Sequence, residues 1–239
     1  MKILKGKTFV ITGASKGIGR ALAEALSLLN THLALIARSK TELEQVQQLA
    51  VANGSNCIIF CGDVTNEQFV NESIKEVQHQ FGQINVLINN AGFGIFKPTE
   101  DISVAEWDDV FATNTKGTFL MTKAVIPFMK AQQAGHIINI ASDVAKRVFS
   151  GGSLYCASKY AQDAFSMAIR KELRPFKVKV SVVYSGLVDS SFHAEPQGDN
   201  SHEQWLKNED MANAIIYIAA QPAHVVIDEL MIHPVFQDY

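Results

Sequence analysis

A tyrosine and a lysine four residues apart form the first candidate reactive pair in this sequence. Tyr155 and Lys159 stand in the stretch SGGSLYCASKYAQ, residues 150–162. Four residues make about one helical turn, so the two side chains would share one face of a helix. A nearby positive charge lowers the pKa of a phenol, which favours acid/base catalysis. A helix surface can also place the two groups together by accident.

A serine at the end of an apolar run is the second candidate. Ser142 closes the run HIINIAS. If that run is a parallel strand, Ser142 lies at the carboxyl edge of the sheet, where open α/β proteins bind ligands. A hydroxyl at this position would lie near Tyr155 and Lys159, which favours a reactive site over an accidental pairing of these two residues.

A glycine-rich turn supplies a candidate phosphate site. The segment TFVITGASKGIGRALAEAL reads as strand, turn and helix, with Gly13, Gly17 and Gly19 in the turn. Glycines let the backbone approach a ligand, and the free N–H groups of a helix N-terminus attract an anion. The position of the turn after the first strand indicates a dinucleotide site, although a tight strand–helix connection has the same pattern.

Two cations near this turn indicate which dinucleotide would bind. The second strand ends at Ala37 and Arg38, where a carboxylate would hold the ribose diol of NAD, and Lys16 lies inside the turn. Arginine and lysine suit a 2′-phosphate, so the sequence predicts NADP(H). The alternative is that both cations are solvated surface charges.

Alternating apolar patterns predict the elements that position these residues. Seven short, β-branched runs resemble strands buried on both faces, and six helical segments separate them. Such alternation predicts a single α/β domain over residues 1–239: a Rossmann-like, doubly wound parallel sheet of about seven strands with helices on both faces. A long helix is expected over 105–133, with Pro127 as a candidate kink. The weakly patterned segment 190–207 is expected to be a substrate loop that offers Phe192, His193 and Trp205.

Composition excludes several other classes of protein. The 239 residues carry a net charge of −3 and no basic stripe, which argues against nucleic acid as a partner. Three cysteines fit a reducing cytoplasm, and they lack the spacing of metal ligands. No run approaches the ~20 apolar residues of a membrane span. We therefore expect a cytoplasmic protein without a metal, a nucleic-acid partner or a membrane partner.

Several motifs together resemble the short-chain dehydrogenase/reductase family. They are TGASKGIG (residues 12–19), GDV (62–64), NNAG (89–92), and NIAS (139–142) followed by YCASK (155–159). They occur in the family's order, and the resemblance covers nearly the whole chain. It implies an NADP(H)-dependent oxidoreductase that transfers a hydride between nicotinamide and a carbonyl or secondary alcohol.

The resemblance also implies a role for each matching residue. Tyr155 would be the general acid/base, and Ser142 would hydrogen-bond the substrate carbonyl. Lys159 would lower the pKa of Tyr155 and bind the nicotinamide ribose, and Asn114 would organise a water in a proton relay. The implied cofactor contacts are Gly13, Ser15, Lys16, Gly17, Ile18, Gly19, Arg38, Asp63, Val64, Asn90, Ala91, Gly92, Tyr155, Lys159, Gly186, Val188 and Ser190.

The sequence departs from the family pattern after the sixth strand. Ser185 precedes Gly186 where the family usually has proline, which gives the turn more freedom. Ser190 stands where a threonine usually binds the carboxamide, and its hydroxyl offers the same bond. Val188 would contribute backbone groups.

The resemblance leaves the substrate open. We expect a small ketone, aldehyde or hydroxy compound. A 3-oxoacyl-carrier-protein reductase is an alternative, but Gln133 and Phe176 stand where such enzymes carry arginines. A non-catalytic NADP(H)-sensing protein is another, although such relatives usually lack the tyrosine or the lysine. The two long helices are expected to pair into a homodimer or homotetramer.

Overall fold

Nine strands lie within residues 2–192 and 196–238, which the computed structural model describes. They are β1 (Thr8–Thr12), β2 (His32–Ala37), β3 (Asn56–Cys61), β4 (Val86–Asn89), β5 (Gly135–Ser142), β6 (Val178–Ser185), β7 (Val188–Asp189), β8 (Leu206–Lys207) and β9 (Glu229–Ile232). Seven form one parallel sheet in the order β3–β2–β1–β4–β5–β6–β9, and β7 pairs with β8. The predicted Rossmann-like sheet of about seven strands is confirmed.

Seven α-helices connect these strands within the described ranges. They are α1 (Gly17–Ser27), α2 (Lys40–Ala52), α3 (Glu67–Phe81), α4 (Val104–Phe111), α5 (Thr118–Gln132), α6 (Ser153–Leu173) and α7 (Asn208–Ala219). The long helix predicted over 105–133 is helical from 104 to 132, but a π-helical segment, Ala112–Gly117, lies between α4 and α5. Apolar periodicity does not reveal such a segment, and π turns frequently mark functional positions.

Helices cover both faces of the sheet, and strand side chains alternate between the two layers. In β1, Phe9 and Ile11 pack with α1, α2 and α7, whereas Val10 packs with α3, α5 and α6. In β2, Leu33 and Leu35 face the first layer and Ala34 faces the second. This period of two is the ordinary alternation of a strand, and burial on both faces explains its continuous apolar runs.

The predicted substrate loop has more structure than its sequence pattern indicates. Asp189, in β7, accepts hydrogen bonds from the Gly198 N–H at 2.9 Å and from the Lys207 ammonium at 3.1 Å. The buried ring of His202 lies 3.2 Å from the same carboxylate and stacks on Trp205. These contacts anchor the described part of the loop to the sheet edge. His193 lies outside the described residues.

Membrane-spanning helices and clusters of potential metal ligands were both sought in the described part of the chain. None of its helices is both long and apolar enough to cross a membrane. Residues 2–192 and 196–238 contain no group of three or more His, Cys, Asp or Glu that could hold a metal ion. All three cysteines carry free thiols.

Candidate active site

One cleft of about 890 Å³ opens at the carboxyl ends of the central strands. The chain leaves β1 and β4 in opposite directions there, which is where doubly wound sheets bind nucleotides. Most predicted site residues line this cleft: Gly13, Ser15, Lys16, Gly17, Ile18, Arg38, Asp63, Val64, Asn90, Ala91, Gly92, Ser142, Tyr155, Lys159, Gly186, Val188 and Ser190. Two other predicted site residues, Gly19 and Asn114, are not among the described residues that line the cleft.

The glycine turn after β1 has the geometry of an anion cradle. Gly13 has a φ of 64°, and a Cβ there would lie 2.9 Å from the side-chain nitrogen of Asn90. Gly19 lies behind the turn, because a Cβ on it would stand 2.3 Å from the Gly13 carbonyl oxygen. Gly19 therefore lets α1 pack closely, while Gly13 and Gly17 face the cleft. A close backbone approach at the start of a helix fits a dinucleotide phosphate.

Hydrogen bonds fix this turn to the end of β4. The Thr12 hydroxyl accepts the N–H groups of Asn90 and Ala91, each at 3.0 Å, and donates to the Ile88 carbonyl at 3.3 Å. The Asn90 amide donates to the Thr12 carbonyl at 3.0 Å and to the Gly13 carbonyl at 3.2 Å. Asn90 thus positions the two strand ends that flank the cleft.

The two predicted cofactor cations differ in their surroundings. Arg38 is exposed and lines the cleft at the end of β2. Lys16 is also exposed, but its ammonium lies 3.1 Å from a carboxylate oxygen of Glu42 in α2. Burial opposes ionisation of Glu42, yet hydrogen bonds with Lys16, Ser39 and Ser15 hold its pKa below the ordinary value. Glu42 therefore competes with any phosphate for Lys16.

The Tyr155 phenol and the Ser142 hydroxyl meet deep in the cleft. Burial raises the pKa of Tyr155 above its ordinary value, with a smaller rise from the Asp143 charge, and the hydrogen bond with Ser142 opposes this rise. Ser142 donates to Asp143 at 3.0 Å and to the Ser185 carbonyl at 3.3 Å. A protonated phenol beside a hydroxyl donor suits delivery of a proton to a carbonyl oxygen.

Lys159 lies on the same face of α6 as Tyr155, as the spacing predicts. Its ammonium is 5.8 Å from the centre of the Tyr155 ring and donates to the Ile140 carbonyl and to Gln162, both at 3.0 Å. Burial lowers the pKa of Lys159 to about 8. The expected lowering of the Tyr155 pKa by Lys159 stays a prediction, because the ammonium bonds to other groups here.

Asn114 lies behind the cleft, in the π-helical segment between α4 and α5. Its side chain accepts the Phe93 N–H at 3.0 Å and donates to the Phe93 carbonyl at 2.9 Å. It also donates to the Ser158 hydroxyl at 3.0 Å. Its oxygen and the Lys159 ammonium both lie beside Gly92, 3.0 Å and 3.6 Å from where a Cβ would stand. Asn114 therefore positions the Gly92–Phe93 backbone, and its predicted role toward water stays a prediction.

The turn after β6 is held by a residue near the C-terminus. The Leu187 N–H donates to the Gln237 side-chain oxygen at 2.8 Å, and the Gln237 amide donates to Asp143 at 2.8 Å. The Gly186 N–H donates to the Ile232 carbonyl at 2.8 Å. These bonds restrain the turn although Ser185 stands in place of the usual proline.

Asp143 is the centre of a small polar cluster beside Ser142. Its buried carboxylate accepts bonds from the Arg147 guanidinium, one of them at 2.9 Å, and Arg147 also donates to the Asp238 carbonyl at 3.1 Å. The His233 ring nitrogen lies 3.5 Å from the same carboxylate. The cluster ties the residue next to Ser142 to the C-terminal segment.

Aromatic rings form the remaining wall of the cleft. Phe96 lies edge-on to Tyr155 with ring centres 5.4 Å apart, and Phe192 lies 5.4 Å from the same ring. Phe149 contacts Phe96 at 5.8 Å between ring centres. Phe96, Phe149, Phe192 and the neighbouring Val148 are called the aromatic wall below.

Several of these residues were missed in the sequence. Gln162 carries a usable signal, because it stands three residues after Lys159 and so shares its helix face. Ser158 and Glu42 have no distinguishing pattern, since polar residues are ordinary on helices. Gln237 and Phe96 meet the site only through tertiary folding.

Comparisons with known proteins show which family this chain belongs to. The family model described as "short chain dehydrogenase" matches residues 7–201. An uncharacterized oxidoreductase of Staphylococcus aureus (strain MRSA252) is 35% identical over 236 residues, which are 98% of this chain and 100% of that protein.

Two solved structures resemble the whole chain. An alcohol dehydrogenase from the archaeon Thermococcus sibiricus, complexed with 5-hydroxy-NADP, is 32% identical with a TM-score of 0.92, over 98% of this chain and 99% of its own. The closed form of a serine dehydrogenase complexed with NADP⁺ is 30% identical with a TM-score of 0.89, over 97% and 96%. This chain belongs to the short-chain dehydrogenase/reductase family of oxidoreductases.

Proposed function

We propose that this protein is an NADP(H)-dependent enzyme that transfers a hydride between nicotinamide and a carbonyl or secondary alcohol of a small substrate. The observation that carries the proposal is the meeting of Tyr155, Ser142 and Lys159 in one cleft with the glycine turn. A phenol, a hydroxyl and an ammonium placed beside a nucleotide cradle are the groups that carbonyl reduction requires.

Each of the three side chains has a distinct task in the proposed reduction. A nicotinamide dinucleotide held against Gly13, Gly17 and Lys159 would supply the hydride for the carbonyl carbon. Ser142 turns its hydroxyl from Asp143 to the substrate oxygen and holds it beside Tyr155. A phenol is protonated at neutral pH, and burial raises the pKa of Tyr155 further, so Tyr155 carries a proton that it can donate to the forming alkoxide. In the reverse direction the phenolate accepts a proton from the alcohol.

Lys159 and Asn114 assist the proposed proton transfer without donating to the substrate themselves. The Lys159 ammonium lies buried beside Gly92, where it stabilises negative charge on the phenolate through space. With a pKa of about 8, Lys159 can also release a proton near neutral pH. Asn114 keeps the Gly92–Phe93 backbone in place, and this backbone lines the cleft beside the Lys159 ammonium.

The preference for NADP(H) over NAD(H) is supported by charge. Arg38 lies at the end of β2, where a ribose 2′-phosphate would bind, and Lys16 lies in the glycine turn. Two of the similar structures hold NADP or a derivative of it. The Glu42 carboxylate beside Lys16 limits the preference, since binding of a phosphate has to compete with an existing ion pair.

Turnover measured with both cofactors tests the proposed function. The purified protein is expected to oxidise NADPH with activated diketones and aldehydes, and to bind NADPH more tightly than NADH. A protein that binds NADPH but reduces no member of a broad carbonyl panel would indicate a sensing role. A preference for NADH would overturn the assignment of Arg38 and Lys16.

We also propose that the protein assembles into a homodimer or homotetramer. Several large apolar side chains on α4, α5 and α6 are 41–44% exposed: Trp107, Phe119, Tyr160 and Met167. Exposed apolar patches of this kind mark protein interfaces. Light scattering tests this, and a monomer at micromolar concentration would contradict it.

A further inference from the structure

Three of the four side chains of the aromatic wall are exposed. Phe96 is 45% exposed, Phe149 is 46% exposed and Val148 is 72% exposed, although the rings contact one another. All of them line the cleft, on the side where Tyr155 presents its ring. Apolar side chains that stay exposed inside a cleft lose that exposure when a ligand binds, so they mark the surface that an apolar ligand would cover.

The charge at this end of the cleft is already compensated. Arg147 lines the cleft beside Val148 and Phe149, but its guanidinium bonds to the Asp143 carboxylate and to the Asp238 carbonyl. A substrate carboxylate would have to break this cluster to pair with Arg147. Asp143 would in addition repel an anion placed near Ser142. The described residues therefore favour a neutral group over an acidic one at this position.

We propose that the substrate of this site is a neutral carbonyl compound whose carbonyl carries an aromatic or similarly bulky apolar ring. The ring would pack between Phe96, Phe149 and Phe192, while the carbonyl oxygen lies between Ser142 and Tyr155. This inference rests on the proposed function and names its substrate class. This substrate class differs from that of an enzyme acting on hydroxy-amino acids. Those substrates carry an ammonium group and a carboxylate group.

The balanced reaction follows from the proposed roles. A bound reduced nicotinamide would supply the hydride, which is two electrons and one proton, and the carbonyl carbon would accept it as the C=O π bond opens onto oxygen. Tyr155 delivers the second proton to that oxygen, and the product is a benzylic-type secondary alcohol. Solvent then restores the proton of Tyr155. The aromatic wall takes no part in these steps and acts only on binding and orientation.

A pair of diketones isolates the contribution of the ring. Butane-2,3-dione and 1-phenylpropane-1,2-dione present the same activated group and differ by a phenyl in place of a methyl. With NADPH, kcat/KM is expected to be about 10–100-fold higher for the phenyl compound, because its ring moves from water into an apolar site. L-serine with NADP⁺ serves as the charged competitor and is expected to be the poorest substrate.

Variants of the aromatic wall test whether these residues cause the preference. Phe96→Ala and Phe149→Ala are each expected to lower the phenyl-to-methyl ratio of kcat/KM by about 3–10-fold, since an aromatic contact is lost. Phe149 makes no ring contact with Tyr155 among the described pairs, so its variant does not disturb the catalytic phenol directly. Tyr217→Ala is the matched control, because Tyr217 is 60% exposed on α7 and lies outside the described lining.

A binding measurement gives a readout that does not depend on turnover. Calorimetric titration of the NADP⁺-saturated protein with the phenyl dione forms a dead-end complex, since NADP⁺ has no hydride to give. The dissociation constant is expected to rise by about 3–10-fold in Phe149→Ala and to stay unchanged in Tyr217→Ala. Circular dichroism verifies that each variant is folded.

The outcomes separate this inference from the proposed function. Equal kcat/KM for the two diketones, a ratio unaffected by both wall variants, or a preference for L-serine would overturn the inference and leave carbonyl reduction intact. A protein that turns over none of the compounds while binding NADPH would instead overturn the proposed function. A high phenyl-to-methyl ratio that falls in both wall variants and not in the control supports the inference.

Discussion

The two sides of the cleft are built from different kinds of contact. On the side of Lys159 and Asn114, buried polar groups are hydrogen-bonded to one another and to backbone, and both side chains are at most 4% exposed. On the other side, the aromatic wall offers the exposed rings of Phe96 and Phe149, and its rings contact one another and the Tyr155 ring. The first side is held by hydrogen bonds without a ligand, whereas the second leaves apolar surface that the proposed substrate would cover.

This difference indicates how the fold separates chemistry from selectivity. A buried hydrogen-bond network tolerates little change, because removing one partner leaves another unsatisfied in an apolar surrounding. Exposed aromatic side chains can change in size at small cost in stability. Substitutions on the polar side should therefore affect turnover of every substrate, and substitutions on the aromatic side should change the ranking of substrates.

The largest effect is expected for Tyr155→Phe. The substitution removes the proton donor and leaves the ring that contacts Phe96 and Phe192. A positioned general acid contributes ~10²–10⁴-fold, so NADPH oxidation should fall by about that factor for all carbonyl substrates. The decrease in NADPH absorbance measures it.

The control for this substitution is Tyr160→Phe on the same helix. Tyr160 is 43% exposed and is absent from the described lining of the cleft. Its variant should retain activity, and Tyr155→Phe should retain NADPH affinity. Substantial activity in Tyr155→Phe would mean that another group supplies the proton.

The second prediction concerns the pH dependence of stability that Lys159 introduces. Burial lowers the pKa of Lys159 to about 8, from 10.5. Between these values the unfolded chain binds a proton that the folded protein lacks, so raising the pH through this window stabilises the fold. Relative to Lys159→Met, the free energy of unfolding of the wild type should rise by up to about 3 kcal/mol between pH 7.5 and 10.5.

Urea unfolding of the cofactor-free protein at a series of pH values measures this difference. Tyr155 and Tyr184 also titrate near the upper limit, and their raised pKa values destabilise the fold above pH ~10, where unfolded tyrosines lose a proton. Both tyrosines are present in both proteins, so their contribution cancels in the difference. A difference that does not change with pH would show that Lys159 titrates normally.

The third prediction concerns Gln237, which joins the turn after β6 to Asp143. Gln237→Ala removes the acceptor of the Leu187 N–H and a donor to Asp143. Since each such hydrogen bond contributes about 1 kcal/mol or more, kcat/KM should fall by about 10-fold, mainly through a higher KM for NADPH. Steady-state kinetics with varied NADPH measures the split.

Gln221→Ala is the matched control for Gln237→Ala. Gln221 donates its side-chain amide to the Tyr217 carbonyl on the surface and is not part of the described lining. Its kinetics should match the wild type. A fall in kcat alone for Gln237→Ala would place its effect on the chemical step and not on the turn after β6.

The sequence predicts the polar side of the cleft better than the aromatic side. Tyr155, Lys159 and Ser142 are set by spacing on one helix and by the end of one strand, which are local rules. The sheet is predictable for the same reason, because each strand is a short apolar run. The aromatic wall joins residues 96, 149 and 192 from separate loops, and no local pattern connects them.

Periodicity also misses details inside a helix that it predicts correctly. Residues 104–132 are helical, but their apolar spacing does not reveal the π-helical segment Ala112–Gly117. The bonds of Asn114 to Phe93 and Ser158 join residues that lie far apart in sequence, so no local pattern indicates them. The bonds of Gln237 to Leu187 and Asp143 are equally invisible in sequence.

The smallest effect is expected at the adenosine end of the cleft, where Glu42 pairs with Lys16 at 3.1 Å. Glu42→Gln removes a carboxylate that competes with a 2′-phosphate, so the ratio of NADPH to NADH affinity should rise about 3-fold, the size expected for an exposed pair. Glu44→Gln, which weakens the exposed ion pair with Lys40 at 3.8 Å, is the matched control.

Calorimetric dissociation constants for NADPH and NADH at two salt concentrations measure this affinity ratio, and screening should reduce the gain at high salt. An unchanged ratio in Glu42→Gln would mean that Lys16 does not contact the phosphate, and Arg38 would then carry the cofactor preference by itself.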